Sequence, residues 1–127
     1  MQIDHIVLWV SDMSRSVSFY SAFLGQPINQ EEDHASWLVG QTKLFIGLSY
    51  IDKPLPFDKE NIGLNHLAFH VSTLAELGEY ESKLNMANIK HSGIQIDKYG
   101  GKEFIWFDDP DRIRLEFYLR LPLVPSN

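Results

Sequence analysis

The sequence predicts an α+β fold built from two copies of one β-α-β-β-β module. Three observations predict it: a stretch that recurs with its histidine in place, a capped helix after each copy, and a strand-turn-strand ending to each half. The recurring stretch is Ile3-Asp4-His5-Ile6-Val7-Leu8-Trp9-Val10-Ser11, which returns as Leu64-Asn65-His66-Leu67-Ala68-Phe69-His70-Val71-Ser72. Both alternate and are rich in β-branched or aromatic residues, so both read as strands. Ile6, Leu8 and Val10 then share one face, and His5, Val7 and Trp9 the other. The second copy divides Leu67, Phe69 and Val71 from His66, Ala68 and His70 in the same way.

Each strand is followed by helix signals. Asp12 can cap a helix that runs to about Leu24 and stops at Gly25, with Val17, Tyr20, Phe23 and Leu24 as its apolar stripe. Thr73 and Glu76 form a capping box for a second helix, running to about Met86, with Leu74, Leu77, Tyr80 and Leu84 facing inward. Short strands are expected near Ile28–Glu32 and Ile94–Asp97. The module ends align Trp37 to Gly47 with Trp106 to Glu116, so that Gly47 stands opposite Glu116 in the repeat. Asp109-Pro110-Asp111 supplies the second hairpin turn.

The chain has 127 residues and an apolar fraction of 44%, enough for a core without staples. We expect one domain over 1–127: module one at about 1–50, a linker at about 51–62 with Pro54 and Pro56, module two at about 63–121, and a tail at 122–127. Cysteine is absent, which removes disulfides and thiolate ligands and fits a reducing compartment. The start, Met1-Gln2-Ile3-Asp4-His5, does not read as a signal peptide, and no run is long and apolar enough to span a membrane. A cytoplasmic location is therefore expected. The net charge of −6 would repel a phosphate backbone, which argues against nucleic acid as a partner.

The candidate chemistry follows from the repeat. His5 and His66 occupy equivalent strand faces. In the last strand Ile113, Leu115, Phe117 and Leu119 form a core face, which leaves Arg114, Glu116, Tyr118 and Arg120 on the other. Two imidazoles and a carboxylate form a metal set of the facial-triad kind, with positions left open for substrate, and suit Fe, Mn, Zn, Ni or Co. Trp9, His70, Trp106 and Tyr118 are expected to line an aromatic cavity, with Arg114 or Arg120 placed to meet a carboxylate or phosphonate. His34 and His91 read as surface loop residues, and Tyr99-Gly100-Gly101-Lys102 as a hairpin loop with a mobile lid as the alternative.

These pieces together resemble the vicinal oxygen chelate superfamily, the group of glyoxalase I, bleomycin-resistance proteins and extradiol dioxygenases. The resemblance rests on Ile3 to Met13, Ser18-Phe19-Tyr20 with Phe23-Leu24-Gly25, Leu64 to Phe69, and Phe107 to Asp111 with Leu115-Glu116. It implies paired modules whose curled mixed sheets enclose a metal cleft. It also implies His5, His66 and Glu116 as ligands of one divalent metal, Glu116 being catalytic as well. The fourth ligand position of glyoxalase I-like members falls on Gly47, which has no side chain to offer. A three-ligand set in so short a chain is similar to the small fosfomycin-resistance members. Lys98-Tyr99-Gly100-Gly101-Lys102 departs from their serine-rich loop, and Arg112 and Ile113 depart from the family's Asp-Pro-Asp-Gly-Asn turn. The turn geometry is accordingly expected to differ there.

The resemblance implies a small metal-dependent enzyme chelating a small oxygenated substrate, as a glyoxalase- or dioxygenase-like lyase, isomerase or transferase. The alternative is a metal-free drug-binding protein of the bleomycin-resistance type. A homodimer is expected, with the modules paired within one chain or exchanged between two.

Overall fold

The computed structural model describes residues 1–121; the expected tail at 122–127 lies outside the described residues. The chain divides into two compact units, Met1–Phe57 and Asp58 onward, with the division inside the proline-bearing connector. The first unit runs β1 (His5–Val10), α1 (Met13–Leu24), β2 (Asn29–Gln30), β3 (His34–Val39) and β4 (Thr42–Leu48). The second repeats the order with β5 (Leu67–Val71), α2 (Leu74–Met86), β6 (Gln95–Ile96), β7 (Glu103–Asp108) and β8 (Arg114–Leu119). Each unit forms a mixed four-stranded sheet, ordered β1-β4-β3-β2 and β5-β8-β7-β6. The first strand lies parallel to the last, which in turn forms an antiparallel hairpin with the third.

The helices start where the caps predict. The Asp12 side chain accepts from Arg15 N–H, and Thr73 Oγ1 accepts from Glu76 N–H. Glu76 reaches back past the cap to accept from Ser72 N–H, a variant of the capping box. Gly25 ends α1 at φ +80, and its carbonyl accepts from the Trp37 indole at 2.8 Å. One face of each sheet is covered by its helix. In the first unit Tyr20 and Phe23 of α1 are buried with Trp37, Leu44 and Ile46. In the second, Tyr80 stacks on Phe117 at 4.5 Å, Phe107 stacks on Phe117 at 5.1 Å, and Leu77, Leu84, Ile105 and Leu115 are fully buried. Ring stacking adds about 0.5–1.5 kcal/mol per pair beyond burial. The opposite face of each sheet carries the candidate functional side chains.

Several sequence-based expectations change. Leu74 is 56% exposed, because the first helical position precedes the turn that packs on the sheet. Ser16, small enough for close approach, is buried on α1, whereas Val17 is only half-buried. The strands expected near 28–32 and 94–97 contract to two residues each. His34 begins β3 instead of lying in a loop, and His91 bridges Phe107 and bonds Asn85 Oδ1 at 2.6 Å.

The repeat alignment also shifts. Trp37 pairs with Leu44, and both are core residues; their counterparts are Phe107 and Leu115, likewise paired and buried. Along the parallel ladders Val7 faces Phe45 and Ala68 faces Glu116. The counterpart of Glu116 is therefore Phe45, and Gly47 corresponds to Tyr118. One of the two residues of shift comes from hairpin length; the other arises ahead of β7, where Trp37 already corresponds to Phe107. β3–β4 turns on Gly40-Gln41, with φ +59 at Gly40, whereas the second hairpin needs Pro110-Asp111-Arg112. Arg112 adopts φ +69, so the family's left-handed position is kept although its glycine is not, contrary to the expected change of geometry. Buried Asp109 stabilises the turn by accepting from Asp111 N–H at 2.8 Å and Ile113 N–H at 2.9 Å.

Candidate functional site

The uncovered face of the second sheet forms a groove of about 650 Å³. His66 enters it just ahead of β5, His70 from β5, Trp106 from β7, and Arg114, Glu116, Tyr118 and Arg120 from alternate positions of β8. Asp97, Lys98 and Tyr99, from the loop after β6, complete one wall.

His66 and Glu116 come together, with Nε2 at 3.6 Å from Oε1. Two donors about 2.1 Å from one tetrahedral ion lie about 3.4 Å apart, so this spacing fits a shared cation. On the other side of the ring, His66 Nδ1 lies 2.8 Å from Asn65 Oδ1. The amide oxygen only accepts, so Nδ1 carries the proton and Nε2 keeps its lone pair for a ligand. The Glu116 side chain is 14% exposed. Burial pushes its carboxyl up, against the pull that His66 exerts when its ring is protonated; Asp97 adds to the rise and Arg114 opposes it. A half-buried carboxylate beside a neutral imidazole nitrogen is in an environment that a cation would relieve.

His5 lies in the first unit and carries the same device: its Nδ1 is 2.7 Å from Asp4 Oδ2. Its ring meets the edge of Phe45 at 5.8 Å, where the second unit has the carboxylate. Trp9 shares this sheet face and is 50% exposed. It packs on Tyr50 and over Gly47, where an added Cβ would come within 3.0 Å of its ring. Among the described residues, no group of three or more His, Asp or Glu side chains converges within the structure.

The remaining groove residues are held in fixed roles. His70 Nε2 donates to the Arg120 carbonyl at 2.6 Å, leaving Nδ1 as an acceptor. Tyr118 hydroxyl donates to Asp97 Oδ2 at 2.7 Å; this bond holds the Asp97 carboxyl low and the Tyr118 hydroxyl high. Gly100 lies against the Tyr118 hydroxyl and Asp97, too close to admit a Cβ. The Tyr99–Lys102 segment is a hydrogen-bonded hairpin loop: Asp97 N–H donates to Lys102 O and Gly101 N–H to Asp97 O. Sequence reasoning missed Asn65, Asp97 and Phe45. The signal for Asn65 was available, since a polar side chain precedes each repeated histidine.

The paired β-α-β-β-β units, each with one sheet face open, define a vicinal oxygen chelate protein. The chain belongs to the Glyoxalase/Bleomycin resistance protein/Dioxygenase superfamily, whose family model matches residues 2–117. Among curated proteins it is 33% identical to the uncharacterized protein YaeR of Escherichia coli (strain K12), over 92% of this chain and 95% of that one. It is 28% identical to the metallothiol transferase FosB of Staphylococcus saprophyticus, over 91% of this chain and 75% of that one. Among solved structures, the glyoxalase family protein from Enterococcus faecalis superposes with a TM-score of 0.73 at 27% identity, covering 92% of this chain and 96% of that one.

Proposed function

We propose that the protein is a divalent-metal-dependent enzyme acting on a small oxygenated substrate, with His5, His66 and Glu116 as the ligands of one metal. The observation that carries this reading is the His66–Glu116 pair, 3.6 Å apart, with the imidazole tautomer fixed by Asn65 and the same fixing device repeated at Asp4–His5. We read the two modules as one domain over 1–127 and the assembly as a homodimer. Manganese, iron, cobalt, nickel and zinc all suit two imidazoles and a carboxylate. Such a metal, when bound, polarises substrate oxygens and stabilises developing negative charge.

The chain's own residues do the rest. Asn65 holds His66 in its ligating tautomer. His70, its Nε2–H committed to Arg120 O, offers Nδ1 as a proton acceptor at the groove. Trp106 and Tyr118, with Trp9 in the first module, supply aromatic surface for a substrate body. The reaction class lies among glyoxalase- or dioxygenase-like lyases, isomerases and transferases; the likeness to a metallothiol transferase supports the last.

Metal analysis tests the reading. Wild type, His5→Ala, His66→Ala and Glu116→Ala are each loaded with Mn, Fe, Co, Ni or Zn, then desalted. About one metal per chain in wild type, lost in all three variants, is expected. Wild type that retains none of the five overturns the proposal and favours a metal-free drug-binding role. Mixing His5→Ala with Glu116→Ala protein tests exchanged modules, because only an exchanged dimer regains one complete site.

A further inference from the structure

The chain is acidic overall, at −6, yet its groove is not. Lys98, Arg114 and Arg120 border it against Asp97 and Glu116 alone, and Asp97 is already engaged by Tyr118. A divalent ion on Glu116 would make the groove more cationic still.

Arg120 and Lys98 lie over the rings of Tyr118 and Tyr99 at 5.1 and 5.0 Å, and Arg114 is held more closely than either. Its Nε donates to Asp108 Oδ1 at 2.6 Å. Its guanidinium lies over the Trp106 ring, 4.1 Å from the centroid. Its side chain is 20% exposed. Asp108 is its direct partner across the β7–β8 ladder, and Trp106 is the diagonal neighbour on the same face. The planar group is thus held at one edge and on one side. No hydrogen bond from either Nη atom occurs among the described residues. The outer edge of a guanidinium held in this way matches a carboxylate bidentately. Glu116 is two residues along the same strand face, so an anion on Arg114 would sit beside the His66–Glu116 pair.

We propose that Arg114 is the specificity-determining anchor for a substrate carboxylate, so that the substrate is a small organic anion with an apolar or aromatic body set against Trp106 and Phe104. This inference rests on the groove being the substrate site, as read above.

The test uses chelator-treated full-length protein, so that it does not depend on metal. Benzoate, benzamide and phenylphosphonate are titrated separately, and the Arg114 Nε–H and Trp106 indole N–H resonances are followed by NMR. Benzoate should shift both resonances and bind at least about tenfold more tightly than neutral benzamide, a difference of about 1.4 kcal/mol. Arg114→Lys should keep the charge yet lose at least about tenfold in benzoate affinity, with the benzamide affinity unchanged. Asp108→Ala, which removes the acceptor of Nε without touching the cation, should weaken benzoate in the same direction and covers the case in which Arg114→Lys fails to fold. Equal binding of benzoate and benzamide, full benzoate affinity in Arg114→Lys or in Asp108→Ala, or phenylphosphonate binding tenfold tighter than benzoate overturns the proposal. Metal retention by the same wild-type preparation is measured apart. Metal bound without benzoate selectivity sinks the carboxylate anchor alone, and selectivity without metal sinks the metal reading alone.

Discussion

The two modules share a backbone plan and differ in what stands on the open sheet face. At equivalent rungs the second has His66 beside Glu116 and His70 beside Tyr118; the first has His5 beside Phe45 and Trp9 over Gly47. One face is polar, cationic at its rim and grooved. The other is more aromatic, with His5 beside Asp4 and His34 beside Asp33. Equal folding requirements on the core side left those residues alike: Tyr20, Phe23, Trp37, Leu44 and Ile46 against Tyr80, Phe107, Phe117 and Leu115. Chemistry was free to diverge only on the face the helices do not cover.

The largest expected effect separates the halves directly. Glu116→Ala should lower metal affinity by roughly 100-fold or more, beyond the range for an outer partner. Phe45→Ala should leave it within about twofold, because an aromatic ring cannot ligate. Chelator competition measures both, and equal losses would erase the asymmetry. Next, Asn65→Ala should cost about 10- to 100-fold in metal affinity with little change in melting temperature, since it frees the His66 tautomer without opening the core. A smaller effect in the other direction is expected from Phe45→Glu, which gives the first module the carboxylate it lacks. Tighter manganese binding by about tenfold, roughly 1.4 kcal/mol, would show that His5 and residue 45 serve the same ion as His66. The smallest effect is on stability. Arg112→Gly should stabilise the protein by about 0.5–1 kcal/mol in thermal or urea unfolding, by relieving a side chain at φ +69.

Much of the fold is legible in the sequence because local signals agree with the global plan. Asp12, Gly25 and the Thr73–Glu76 box mark helix ends through short-range hydrogen bonds. Alternation in β1, β5 and β8 separates core from groove, and so places His66, Glu116, Arg114 and Tyr118 on one surface. What is not legible depends on counting rungs. Trp37 and Trp106 look equivalent along the chain, yet one is buried and the other is 37% exposed on the groove face. One residue gained ahead of β7 separates them, a longer hairpin adds one more by β8, and only pairing across strands reveals Phe45 as the counterpart of Glu116. The Asp97–Tyr118 bond and the Gly100 approach were hidden for the same reason: they join residues far apart in sequence.

The tryptophan laid over Gly47 has a spectroscopic consequence. Trp37 is sealed in the core with its indole bonded to Gly25, so its emission belongs at the blue end of the band. Trp9, half open to water, belongs at the red end. With half-exposed Trp106 changed to phenylalanine, the first module would carry its own optical gauge: whatever comes to cover that aromatic face should draw the red component toward the blue.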